Sequence, residues 1–193
     1  MPCLPALPDG ELTGPALRVG NASPEMADRL AVLALQVWLH TYATEGIAED
    51  IAAYVLQELT PAKYAAMLQD PERQVIVAEH GEHLVGLAVL NLNAPCEADR
   101  SLHVELQTLY VQAHFLGEGV GHRLLQEAQA RARAFSKTGQ LWLSVNAKNA
   151  RAITFYARQG YEKIGTTYFL LGAARHENHV LVSPELRLRG LAR

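Results

Sequence analysis

The chain has 193 residues, of which 49% are hydrophobic and 19% are charged, and its formal net charge at pH 7 is −3. This length allows one domain with a sizeable core, and the composition is typical of a soluble globular protein. The negative charge argues against broad nucleic-acid binding, which needs a basic face, and the two distant cysteines form neither a disulfide framework nor a metal motif.

The two ends of the chain differ in composition from its middle. Residues 1–16 contain four prolines and two glycines without periodicity, so we expect a flexible N-terminal tail and no signal peptide. Residues 184–193 carry three arginines and are expected to form a C-terminal tail, which leaves a single domain over 17–183. The longest apolar stretch is too short to span a bilayer. We therefore expect a cytoplasmic protein that binds neither membranes nor nucleic acid.

Helix signals dominate the first third of this domain. After a short strand at 17–19, Ser23 is expected to be the N-cap of a helix, with Pro24 at the first helical position. A second helix is predicted for 48–58 and a third for 60–69.

Strand signals and strand–helix units make up the rest of the domain. Residues 74–79 alternate in polarity, 80–82 supply turn residues and 83–92 return, which predicts a hairpin. Helices are predicted from Val120 to about Lys137, and from Asn149 as N-cap to Gly160 as terminator. Further strands are predicted at 106–111, 141–145, 161–171 and, as a short last one, 180–182. This order predicts an α+β fold with a mixed central β-sheet flanked by helices.

A glycine-rich loop joins the strand at 106–111 to the helix that starts at Val120. Gly117, Gly119 and Gly121 allow a tight turn and a close approach of the backbone to a ligand. The first turn of the helix offers unpaired N–H groups and the positive end of the helix dipole. The loop therefore predicts a phosphate site, with a purely structural turn as the alternative.

Two other kinds of phosphate-binding loop fit this stretch less well. A dinucleotide-binding loop needs an acidic residue about twenty residues further on, and residues 140–145 contain none. A P-loop continues with Gly-Lys-Ser/Thr, whereas Gly121 is followed by His122 and Arg123. Each of these two basic residues either adds positive charge beside a phosphate or is a solvated surface residue.

Two blocks of the sequence resemble the GNAT superfamily of N-acetyltransferases. The stretch Leu116-Gly-Glu-Gly-Val-Gly121 resembles the family's Gln/Arg-x-x-Gly-x-Gly/Ala pyrophosphate loop, from which Leu116 departs. The block from Asn146 to Tyr161 resembles the family pattern Asn-x-x-Ala-x-x-Phe-Tyr-x-x-x-Gly-Phe. The resemblance covers roughly 74–182. Within the superfamily, the chain looks most similar to the bacterial spermidine-acetylating branch, through the stretch 105–111, Gly165-Thr166 and Phe169-x-x-Gly172.

The resemblance implies acetyl-CoA as cofactor and a primary amine, on a polyamine-like small molecule or a peptide, as acceptor. It assigns Tyr156 as the donor of a proton to the departing thiolate, although a core aromatic is the alternative. Glu105 is expected to be the general base, or else a surface charge near a strand end. Homodimers are common in such families. The cofactor-binding residues implied are Leu109 and Val111 through their backbone, Gly117, Gly119, Val120, Gly121, His122, Asn149 and Tyr156.

Two further points remain open at the level of sequence. Asn149 is either a helix cap or a ligand of the pantetheine arm. Because Leu116 replaces the Gln or Arg of the family loop, a non-catalytic acyl-CoA-binding regulatory module is the second hypothesis for the function. A nucleotide-dependent oxidoreductase ranks last. His176 and His179 lack the spacing and the third ligand of a zinc site, so no metal is expected. The acidic residues Glu45, Glu49 and Asp50 lie in the segment that family members use to shape the acceptor site, or form a solvated charged loop.

Overall fold

The structure is a computed structural model that describes residues 16–136 and 138–185. The tails expected at 1–16 and 184–193 lie almost entirely outside these residues. The strands are Leu17–Asn21 (β1), Arg73–His80 (β2), His83–Asn91 (β3), Glu105–Val111 (β4), Trp142–Asn146 (β5), Glu162–Leu171 (β6) and Ala174–Val182 (β7). The helices are Ala27–Tyr42 (α1), Glu49–Glu58 (α2), Pro61–Gln69 (α3), Val120–Phe135 (α4) and Ala150–Arg158 (α5), with single 3₁₀ turns at Pro24–Met26 and Ala113–Phe115.

The strands form one mixed seven-stranded sheet in the order β1-β2-β3-β4-β5-β7-β6. All neighbours are antiparallel except β4 and β5, which run parallel. This confirms the predicted α+β class with helices around a mixed sheet.

Apolar clusters cover both faces of the sheet. On one face, α4 and α5 bury a stripe that includes Leu124 and Leu125, both at most 1% exposed. On the other face, α1 and α3 bury Leu30 and Tyr64 against β2 and β3. Each fully buried leucine contributes about 1.5–3 kcal/mol relative to an exposed one. The helices are therefore held rigidly, and the loops between them and the sheet have defined positions.

A register shift in β4 shapes the centre of the sheet. Its pairing with β3 slips by one residue between Leu106 and Thr108, so Gln107 is the extra residue of a β-bulge. As a result Leu106, Leu109 and Val111 all pack toward the α4–α5 face, whereas Tyr110 packs toward α1.

The structure refines one sequence prediction and corrects another. Ser23 is the N-cap of the first helical turn and Pro24 follows it, as predicted, but the Ser23 side chain makes no capping bond to the backbone. Its hydroxyl bonds instead to the Glu25 carboxylate and lowers the pKa of that group. The last strand begins at Ala174 rather than Val180, because backbone pairing with β6 holds the polar run 175–179 extended, and β5 joins on the other side from Asn178 onward. That run lacks the apolar alternation on which the sequence prediction depended.

Within 16–136 and 138–185, no helix is both long and apolar enough to cross a membrane.

Candidate active site

A cleft of about 760 Å³ opens where β4 and β5 diverge. The two parallel strands are in register at a single pair, Glu105 with Trp142, near which the Trp142 N–H donates to the Val104 carbonyl oxygen at 3.0 Å. Beyond this point they separate, and the gap is lined by residues 106–111 of β4 and 144–146 of β5. The end of α1, the glycine loop and α5 complete the walls.

The edge of β4 that faces this gap carries free backbone donors. Gln112 donates its N–H to the Val85 carbonyl oxygen of β3 at 2.9 Å. Because successive N–H groups of a strand point to opposite edges, those of Val111 and Leu109 point toward β5, where no strand is paired with them among the described residues. Unpaired donors at these two residues are what the family resemblance implied, and their contact with a cofactor stays a prediction.

The glycine loop lies at the open end of the cleft. Gly117 and Gly119 have φ of +88° and +80°, and a Cβ built on either would meet nothing within 4 Å. The open space above them is therefore free for a ligand, while the left-handed backbone favours glycine at both positions. Gly121 differs: its φ is not positive, and a Cβ there would make ordinary contacts of 3.6 Å and 3.7 Å with Val111 and Phe155.

The start of α4 is suited to an anion. Gly119 is its N-cap and supplies no side-chain oxygen, so the first-turn N–H groups have no side-chain acceptor. The dipole adds positive potential at the same point. Val120, predicted as a cofactor ligand, is 2% exposed with its side chain in the core, so only its backbone is available to a ligand.

A contact between α4 and α5 places His122 beside the loop. His122 Nδ1 lies 2.9 Å from Gln159 Oε1, so in this arrangement Nδ1 carries the proton and donates to the amide oxygen. His122 and Asn149 both line the cleft. The Asn149 Oδ1 atom accepts the Ala152 N–H at 3.0 Å and caps α5. The cap uses the oxygen of the amide and leaves the Nδ2 hydrogens for other acceptors, so one residue is able to serve both roles considered from sequence.

Tyr156 lies in the wall of the cleft that α5 forms. It is 7% exposed and packs between Phe155 and Tyr161, with ring centroids at 5.2 Å and 5.4 Å. Burial, with smaller contributions from Tyr161 and Tyr42, raises the pKa of Tyr156 well above its usual value. A phenol with an ordinary or a raised pKa is protonated at physiological pH, as a proton donor must be.

Glu105 lies at the closed end of the gap, where β4 and β5 meet, and is not among the lining residues. Burial raises the pKa of its carboxyl, and Arg73 nearby opposes the shift. A half-buried carboxylate with a raised pKa is a better proton acceptor than an exposed one.

Sequence reasoning missed the α1 side of the cleft. Val37, Thr41 and Tyr42 line it together with Tyr110. Tyr42 belongs to an aromatic row in which Trp38 lies 4.9 Å from Tyr42 and 4.8 Å from Tyr54 between ring centroids. The aromatic residues at the end of α1 were the available signal, but which face of the sheet α1 covers is set by tertiary packing.

Within the part of the chain that the structure describes, no group of three or more His, Cys, Asp or Glu side chains could hold a metal ion. His176 and His179, three apart in β7, point to opposite faces of the sheet.

Comparison with known proteins agrees with this geometry. The profile of the Acetyltransferase (GNAT) family matches residues 36–161. An uncharacterized N-acetyltransferase of Mycobacterium tuberculosis is 36% identical over 160 residues, which are 83% of this chain and 97% of that protein. The N-alpha-acetyltransferase RimI of the same organism is 30% identical over 108 residues, 54% of this chain and 62% of that protein.

Solved structures share the fold. The PaiA N-acetyltransferase from Thermoplasma acidophilum, in complex with coenzyme A, matches 87% of this chain and 98% of its own with a TM-score of 0.69 and 18% identity. The putative acetyltransferase YncA from Salmonella typhimurium, with its cofactor acetyl-CoA, matches 86% of this chain and 92% of its own with a TM-score of 0.62 and 19% identity. With the family profile spanning well over half of the residues, the chain belongs to the GNAT family of acetyltransferases.

Proposed function

We propose that this protein transfers the acetyl group of acetyl-CoA to a primary amine of a small, polyamine-like molecule or of a peptide, by direct attack of the amine. As a member of the GNAT family it is an acetyl-CoA-dependent N-acetyltransferase. The observation that carries the proposal is the gap between β4 and β5, with an anion-binding loop at one end and a buried phenol in its wall.

Each part of the cleft has a role in this reaction. Acetyl-CoA supplies an activated acetyl thioester. The N–H groups at Gly117, Gly119 and the first turn of α4 hold its diphosphate. The free N–H groups of Leu109 and Val111 hold the pantetheine and donate to the carbonyl oxygen where negative charge develops. Tyr156 gives a proton to the sulfur as the thiol leaves.

The acceptor must lose a proton before it attacks. An alkyl amine with a pKa of about 10.4 needs roughly 4–5 kcal/mol to become neutral at pH 7. We assign this step to Glu105, acting directly or through water, because its raised pKa favours proton uptake.

The surroundings of the α1 side favour a cationic acceptor. Tyr42 lines the cleft and is 39% exposed, so its ring is open to an ammonium group, while the buried Trp38 and the half-buried Tyr54 pack behind it. The exposed acids Glu45 and Glu49 lie in the connector that follows α1 and at the start of α2. A second positive charge on the acceptor would be stabilised by both, which supports a polyamine-like molecule over an amino acid with one amine.

An amine panel tests the proposal. Thiol release from acetyl-CoA would be followed over polyamines, an aminoglycoside, single amino acids and peptides with free N-termini or lysines, with hydrolysis in the absence of amine as background. We expect the highest kcat/KM with polyamines. Peptide-only turnover would reassign the acceptor.

The regulatory module remains the second candidate because Leu116, 38% exposed in the cleft, replaces the Gln or Arg of the family loop. Calorimetric binding of acetyl-CoA with no thiol release on any amine would support it.

Light scattering of the purified chain tests the homodimer that the resemblance favours.

A further inference from the structure

Two buried polar atoms on β7 have no hydrogen-bond partner. They are the Nε2 atom of His176 and the Oδ1 atom of Asn178, and no residue within 16–136 or 138–185 donates to them or accepts from them. A third such atom, Oε1 of Gln74, lies elsewhere in the sheet, on β2. A buried polar group without a partner lowers the stability of the folded state. Two of them on one strand therefore suggest a function that outweighs this loss.

The two side chains lie on the same face of the sheet, because they are two residues apart in a strand. Strand pairing places Phe169 of β6 directly opposite His176. The ring of Phe169 meets the ring of Tyr54 on α2 edge-on, with the centroids 5.5 Å apart. His176 and Asn178 therefore lie on the face of the sheet that α2 covers, which is opposite the face that α4 and α5 cover.

Asn178 is also next to the wall of the cleft. It pairs across β7 and β5 with Asn146, which lines the cleft, so the Cβ atoms of the two residues are roughly 5 Å apart. Asn146 Oδ1 accepts the Lys148 N–H at 2.8 Å, so that side chain is already held in place. A polar row therefore runs from the cleft wall at Asn146 through Asn178 to His176.

The helix over this row is weakly anchored. Val55 is the one buried residue of α2, and the connector residues 44–48 before the helix are all exposed. Little apolar surface holds α2 in place, so a ligand that extends from the cleft along β7 can displace the helix at low cost. Such a ligand reaches the two unpaired atoms.

We propose that Asn178 and His176 form a subsite for a second ammonium group of the acceptor, beside the cleft in which its first amine is acetylated. The inference rests on the proposed acetyl transfer to an amine and specifies how the acceptor is recognised. It makes the preferred acceptor a diamine or a longer polyamine rather than a molecule with a single amine.

The chemistry of the unpaired atoms matches an ammonium group. Asn178 Oδ1 is a hydrogen-bond acceptor, and His176 Nε2 is one when the proton of the neutral ring is on Nδ1. An ammonium group has three N–H donors, and its hydrogen bonds are stronger than those of a neutral donor. The Asp50 carboxylate at the start of α2 lies against the turn at Gly172 between β6 and β7 and adds negative charge near the row.

Calorimetric titration of the full chain saturated with coenzyme A tests the subsite without turnover. The two probes are putrescine and butylamine, which share a four-carbon chain but have two amines and one. Wild type is expected to bind putrescine roughly tenfold more tightly or better, because only putrescine makes the charge-assisted contacts. In Asn178→Leu/His176→Phe this preference should disappear. Thr166→Val, an exposed position on the opposite face of the neighbouring strand, should keep it.

Two further measurements separate recognition from a purely structural role. Asn178→Leu replaces an unpaired polar group with an apolar one of similar size, so the Tm of the free protein should rise. Asn178→Asp keeps an acceptor oxygen and adds a negative charge, so it should bind putrescine more tightly than wild type and butylamine equally well. A variant that had merely lost its fold could show neither gain.

The outcomes distinguish this inference from the proposed function. Equal binding of the two amines by wild type, or an unchanged putrescine preference in the double variant, would overturn the subsite. Thiol release from acetyl-CoA with butylamine would then leave the proposed acetyl transfer intact. A putrescine preference that the double variant loses, without thiol release on any amine, would support the subsite and overturn the transfer.

Discussion

At the scale of single residues, Asn149 both stabilises a helix and lines the cleft. Its Oδ1 caps α5 while the same amide faces the cleft. Asn149→Asp keeps the capping oxygen and places a negative charge at a helix N-terminus, so its stability should stay within about 0.5 kcal/mol of wild type. It loses both Nδ2 donors, and coenzyme A should bind roughly tenfold more weakly. Asn149→Ala, the matched control, should in addition lose about 1 kcal/mol of stability.

Tyr156 is expected to act in turnover rather than in binding. Tyr156→Phe removes a proton donor and keeps the ring packing, so kcat should fall at least about 100-fold while the Kd for acetyl-CoA changes little. Tyr161→Phe is the control, since Tyr161 packs on the same ring at 5.4 Å and bonds to Gln129 instead. Unchanged kcat in Tyr156→Phe across several pH values would remove the phenol from the mechanism.

The free energy of unfolding should depend on pH through the titration of the Glu105 carboxyl. Burial raises the pKa of its carboxyl, so the folded state favours the protonated form. Its stabilising contribution is complete below the unfolded pKa of about 4.3 and is lost as pH rises through the higher folded value. Glu105→Gln should therefore unfold at higher urea concentration than wild type at pH 7, with the difference vanishing near pH 4, and should show lower kcat/KM. A stability difference independent of pH would contradict the buried placement of this carboxyl.

At the scale of elements, alanine substitutions at two glycines of the loop should have different effects, because the backbone has a positive φ at Gly119 but not at Gly121. Gly119→Ala forces an L-residue to φ of +80° and should lower the free energy of unfolding by about 1 kcal/mol. It should also weaken the binding of coenzyme A. Gly121→Ala meets only ordinary contacts and should leave stability equal or slightly higher, because alanine favours the helix. Urea unfolding and calorimetry compare the two. Equal destabilisation by both changes would show that the loop geometry differs from the one described.

The strand β4 and its neighbour show how an element acquires its function. The bulge at Gln107 turns Leu109 and Val111 toward the α4–α5 face, and the missing pairing with β5 leaves their N–H groups available. A regular β4 paired along its whole length would have no cleft beside it.

At the scale of the molecule, the ligand should bind and stabilise the whole domain. A ligand present at 100 times its Kd adds about 2.7 kcal/mol to the free energy of unfolding. For a domain of this size, each kcal/mol raises Tm by roughly 2–4 °C, so acetyl-CoA should raise Tm by roughly 5–10 °C. A nicotinamide dinucleotide at the same concentration should give no shift. The reverse pattern would support the oxidoreductase hypothesis.

The sequence by itself determined the features that depend on a few consecutive residues. Glycines at 117 and 119 are required by a left-handed backbone, and Asn149 and Gly160 cap and end α5 through local hydrogen bonds and a φ of +79°. The two family-like blocks are built from these positions, so the amino-acid sequence was sufficient to identify them. It was not sufficient for the extent of β7, because the polar first half of this strand is held extended by pairing with β6.

Only the tertiary structure decided how these pieces meet. The divergence of β4 from β5, the approach of Tyr42 and Tyr110 to the cleft, and the contact of His122 with Gln159 beside the loop each join residues far apart in the chain. Such relations depend on strand register and on which face each helix covers, and these are set by the burial of the whole core rather than by any local pattern.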